Sequence, residues 1–99
     1  MLFILKQNLD DISKEELEAI TSNKEIPEKH KVLEYLKSFG KTAYTTARVV
    51  DLFTGEEQTF IDDARSDGVY TWYDSEIYHF EKYNLKLNDD FIEHVLNRP

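Results

Sequence analysis

The sequence predicts one α+β domain in the order α-α-β-β-β-α-α, a three-stranded antiparallel meander covered by helices, spanning residues 1–99. Three observations carry this expectation. Helical apolar spacing occupies both ends of the chain, and a β-branched middle separates them. The stretch from Asp67 to Tyr83 passes from strand texture straight into helix texture. It holds six of the thirteen aromatic residues, so it is expected to be the hub joining sheet to helices.

Taken in order, Leu2 to Leu5 is a short apolar run that fits either an edge strand or an arm laid on the core. Ser13 and Glu16 form an S-x-x-E capping box, with Leu17 and Ile20 behind it, and predict a helix from about Lys14 to Ser22. Pro27 suits a first helical turn and Gly40 a C′ stop, bounding a second helix from Pro27 to Phe39 whose core face is Val32, Leu33, Leu36 and Phe39. Thr42 to Leu52 reads as a strand, Phe53-Thr54-Gly55-Glu56 as a turn, and Gln58 to Ile61 as the returning strand of a hairpin. After a polar loop over Asp62 to Gly68, Val69 to Trp72 supplies the third strand. Asp74 or Ser75 can cap the next helix, with Tyr73, Ile77 and Phe80 on its apolar face and Glu76, His79 and Lys82 on a polar one. Asn88 or Asp89 offers a cap for the last helix, which carries Phe91, Ile92, Val95 and Leu96.

Composition excludes several chemistries. No cysteine is present, which removes disulfides, thiol nucleophiles and thiolate metal sites together. The three glycines, Gly40, Gly55 and Gly68, each suit a cap or a turn and leave none for a phosphate cradle. The apolar run before Lys6 is too short for a signal sequence or a membrane span, so the expected address is cytoplasmic. Net charge is -8, unevenly placed: residues 1–50 balance eight acids with eight bases, whereas residues 51–99 carry twelve acids against four bases. That sign disfavours nucleic acid and anionic membrane and favours a basic protein or peptide.

Candidate chemistry is sparse. Glu76 and His79 make an E-x-x-H pair, and Asp90 with His94 is a second carboxylate–imidazole pair one helical turn apart. Together they form the alternative reading, a metal-assisted or acid–base enzyme. Isolated pairs of this kind are usually solvated helix faces, and no metal or other cofactor is expected. Asp62, Asp63, Ser66 and Asp67 cluster oxygen atoms but match no calcium loop, and Asp62 with Asp74 is a conceivable acid–base pair. A Ser-His-acid triad is permitted by composition, since His30, His79 and His94 are present, but the nucleophile-elbow pattern is missing. The leading expectation is a small non-enzymatic inhibitor-, immunity- or adaptor-like domain, an analogy of size and charge alone. Its contact surface would be the acidic, Tyr-rich stretch Asp67, Tyr70, Trp72, Asp74, Glu76, Tyr78 and Glu81. A homo-oligomeric structural protein, a homodimer for instance, built through sheet edges or an exposed apolar face is the third reading.

Overall fold

A computed structural model describes residues 2–5, 9–24 and 26–97. Lys6, Glu25 and Arg98, counted in the charge above, lie outside the described residues. The chain forms β1 (Leu2–Phe3), a 3-10 turn (Leu9–Asp11), α1 (Lys14–Ala19), α2 (Lys29–Ser38), β2 (Lys41–Ala43), β3 (Arg48–Val50), β4 (Glu57–Ile61), β5 (Ala64–Ser66), β6 (Tyr70–Tyr73), α3 (Asp74–Tyr83) and α4 (Asp89–Leu96). The α+β class holds. The capping box is formed as expected, with Ser13 Oγ accepting from the Glu16 amide at 3.1 Å and Glu16 Oε1 accepting from the Ser13 amide at 3.2 Å.

The strands are arranged differently from a simple meander. One sheet has the order β1-β6-β5-β2, and β3-β4 is a separate two-stranded ribbon. Leu2 and Phe3 run parallel to Tyr70 and Thr71, which settles the N-terminal run as an edge strand. The region read as one strand over 42–52 splits into β2 and β3, because the Asp62–Asp63 corner takes the bonds between them. The Thr45 amide donates to Asp63 Oδ1 at 2.8 Å, and the Thr45 hydroxyl donates to the Asp62 carbonyl at 3.0 Å. Part of the expected polar loop is β5, a strand too short to leave a periodic mark. It pairs with β6 through Ala64, Arg65 and Ser66.

Gly55 adopts φ +78 in the β3–β4 turn, the left-handed geometry that the turn demands. Gly40 does not play the expected C′ role. The chain turns extended at Phe39 (φ -93, ψ 140), and its carbonyl accepts from Arg65 Nη1 at 2.6 Å, so a side chain ends α2. The core sits between the four-stranded sheet and the helices, with Ile4, Leu17, Leu36, Trp72, Phe80 and Phe91 fully buried. As the hub stretch predicts, Trp72 and Phe80 lie at its centre.

Candidate functional site

The stretch from Asp67 to Glu81 is mostly interior. Tyr70, Trp72, Asp74 and Glu76 are buried, the Asp67 carboxylate is fully covered, Tyr78 is half-buried, and Glu81 alone of the seven is exposed. These residues therefore do not make one docking face. Of the twelve acids in the second half, five (Asp51, Asp63, Asp67, Asp74 and Glu76) bury their carboxylates. Much of the local acidity holds the fold together, since buried carboxylates need donors and these have them.

Three such networks stand out among the described residues. In the first, Asp51 Oδ2 accepts the hydroxyls of Tyr78 and Tyr83, both at 2.6 Å, while Oδ1 accepts the amides of Phe53 at 2.9 Å and Thr54 at 3.1 Å. Burial pushes the Asp51 carboxyl up, but these four donors together hold it well below the usual carboxylate range. The phenols respond in the opposite sense. Burial, and then the bond to Asp51, push Tyr83 up to about 12 and raise Tyr78 as well. Because the native state raises them, their stabilisation is intact below the ordinary phenol value near 10 and is lost as pH rises through the raised values, about 12 for Tyr83. Alkaline titration followed by tyrosine absorbance should therefore show Tyr78 and Tyr83 ionising late, with Tyr83 doing so together with unfolding. Full ionisation of every tyrosine near pH 10 in the folded protein would contradict this.

In the second network, Asp67 Oδ2 accepts the Tyr35 hydroxyl at 2.5 Å and the His94 Nε2–H at 2.8 Å, and Oδ1 accepts the amides of Val69 and Tyr70. Burial opposes ionisation, yet the donors bring Asp67 down to about 2. In the third, Asp62, Asp63 and Asp74 tie three chain segments at one corner. Asp62 Oδ1 accepts the Ser75 amide, Asp74 Oδ2 accepts the Asp63 amide, Lys41 Nζ lies 2.9 Å from Asp63, and Arg65 Nε lies 2.8 Å from Asp74. The oxygen atoms read as a possible cation loop are thus turned towards different protein donors.

The enzyme candidates also part. Glu76 and His79 are not on a solvated face, contrary to the helical-wheel expectation: both are buried, and hairpin β3–β4 packs on α3 where Leu52 meets His79. Glu76 Oε1 accepts the Tyr73 amide at 3.0 Å. His79 is engaged by Ser75 and Leu52, and His94 by Asp67, while Asp90 is exposed. Among the described residues, no group of three or more His, Cys, Asp or Glu could hold a metal ion.

The surface offers something the sequence did not flag. A groove runs between α1 and α4, formed by two continuous hollows of about 680 and 380 Å³ that share Ala19, Ile20, Lys86, Leu87 and Asp89. Its floor is apolar, with Ile26, Ile92 and Leu96 extending it. The two helices that wall it carry six carboxylates (Glu15, Glu16, Glu18, Asp89, Asp90 and Glu93) against one base, Lys14. Among the described residues, the charged side chains that line it are Glu16, Glu28 and Asp89 with Lys24 and Lys86. The available signal was the pairing of two short acidic helices whose apolar stripes run past their buried positions to Ile20 and Leu96. No helix among the described residues is long and apolar enough to cross a membrane. Comparison with protein-family models, with curated proteins and with solved structures finds no match to this chain.

Proposed function

We propose that the protein is a small non-enzymatic binding domain that seats a basic, amphipathic segment of a partner protein in the α1–α4 groove. The observation that carries this reading is the apolar floor between two acidic helices in a chain of net charge -8. Apolar side chains on one face of a bound helix would fill the floor, and lysines or arginines flanking them would meet the carboxylates of the walls. The chain's own polar interior supports the same class of function. His79, His94 and the buried acids are engaged in internal hydrogen bonds, and the acidic field steers cationic partners while repelling polyanions.

A test uses an amphipathic leucine/lysine peptide of about four helical turns, with a leucine/glutamate peptide as its counterpart. The basic peptide is expected to bind with an affinity that falls as salt rises, and the acidic one to fail. Ala19→Trp, which fills the groove from an exposed position, should weaken binding at least about tenfold, or about 1.4 kcal/mol. The double change Asp89→Lys with Glu93→Lys should flatten the salt dependence. Equal affinity in Ala19→Trp and the native chain would remove the groove as the site.

A further inference from the structure

We infer that His79 is a pH-operated latch, adding to the docking of hairpin β3–β4 on α3 while its ring is neutral, so that mild acid loosens the hairpin. This goes beyond the binding reading and does not depend on it. His79 lies in the middle of α3 with its side chain fully buried. Nδ1 is 2.6 Å from the Ser75 carbonyl oxygen, which can only accept, so Nδ1 carries the hydrogen. Nε2 is then a bare acceptor, and the backbone N–H of Leu52 donates to it at 3.1 Å. Leu52 sits in the turn that joins β3 to β4, so the bond runs from helix to hairpin.

Adding a proton to Nε2 replaces an acceptor by a donor aimed at another donor. The Leu52 bond is lost and a charge is created in a closed space. The groups that face the ring pull in both directions. Asp51 from the turn and Asp62 from the corner favour the charged ring, and Lys82 on α3 opposes it. The flanking rings of Tyr78 and Tyr83, centred 5.1 and 5.9 Å away, are neutral in this range. Burial is the largest influence and works against protonation. The folded ring therefore protonates below the ordinary histidine value. Its contribution to docking is whole above about pH 6.5 and is lost as pH falls through the lowered value.

The hairpin is the element built to respond. It belongs to neither edge of the larger sheet and exposes Val50, Leu52 and Phe60. Its two legs are closed at the base by the bond from the Asp62 amide to the Ala47 carbonyl. Release would free the Asp51 carboxylate and the Tyr78 and Tyr83 hydroxyls from one another.

Nitrogen and carbon NMR of the native chain reads the ring directly, and Nε2 is expected to be unprotonated near neutral pH. Hydrogen exchange at Leu52, corrected for the intrinsic effect of pH, is expected to speed up at least about tenfold between about pH 8 and about pH 5, with the Trp72 amide unchanged. His79→Gln, whose amide oxygen can accept from Leu52 without titrating, should keep the hairpin docked at both pH values. An Nε2–H tautomer at neutral pH, an unchanged Leu52 amide in acid, or the same pH response in His79→Gln would each overturn the latch. The tautomer and the Leu52 exchange are both measured on the native protein, so the latch stays falsifiable even if the variant fails to fold.

Discussion

Asp51→Ala is expected to destabilise the fold by about 3–5 kcal/mol, lowering the melting temperature by at least roughly 12 °C, although Asp51 lies in a hairpin turn and not in the apolar core. The side chain is 1% exposed, and its two oxygens accept from Tyr78, Tyr83, Phe53 and Thr54. Alanine would leave these donors short of an acceptor in a space where water has little access. The ion pair with Lys82 adds little, because at 3.5 Å its ammonium is half in solvent. Asp51→Asn should cost less than alanine, since one amide oxygen can still serve the Phe53 and Thr54 amides. Urea unfolding of the three proteins measures the order, and an unchanged midpoint in Asp51→Ala would refute the role given to this carboxylate.

The same carboxylates set the acid limb of stability. Asp51 and Asp67 are both lowered by folding, so each stabilises above the ordinary carboxyl value near 4 and loses that contribution as pH falls, Asp67 through about 2 and Asp51 lower still. Asp51→Ala should accordingly lose less stability than the native chain on going from about pH 5 to about pH 2.

This interior explains what could be read in the sequence and what could not. Local chemistry was legible: the Ser13–Glu16 box, the positive φ at Gly55, the strand-to-helix passage at Tyr73, and the burial of Trp72 and Phe80 all depend on near neighbours or on side-chain size. The fate of the acids was not. Asp51 finds Tyr78 and Tyr83 about thirty residues on, and Asp67 finds Tyr35 and His94 about thirty residues before and after it. Helical spacing places Glu76 and His79 on one face but says nothing of what covers it. Here hairpin β3–β4 packs on α3 at His79, and part of the polar face becomes an interface. A mark was present in retrospect. Asp51-Leu52-Phe53-Thr54-Gly55 has an aspartate placed to accept amides two and three residues on, and phenols on the non-apolar side of α3 need an acceptor when buried. The sheet order was beyond reach for a different reason. β1 and β5 have two and three residues, too few for alternation to register, and they are held by partners far away in sequence.

Trp72→Ala is the second large effect, again about 3–5 kcal/mol, and Trp72→Phe separates its two sources. The indole is wholly buried on β6, with ring centroids 5.9 Å from Phe39, 5.7 Å from Phe91 and 6.2 Å from Tyr35, so one side chain joins the sheet to α2 and α4. Its Nε1–H donates to the Leu36 carbonyl at 3.1 Å. Leu36 lies in the last turn of α2, where a helix cannot pair its own carbonyls, so the indole completes that end as Arg65 does at Phe39. Phenylalanine keeps most of the apolar contact and loses the donor, for an expected cost of about 1–2 kcal/mol. Alanine loses both and opens a cavity between α2 and α4. Circular dichroism melts are the suitable readout, because Trp72 is the chain's single tryptophan and its fluorescence disappears with the substitution. Should Trp72→Phe fall as far as Trp72→Ala, the bond to Leu36 and not the aromatic packing would be what fixes α2. Should neither fall by more than about 1 kcal/mol, Trp72 would not be the centre of the core.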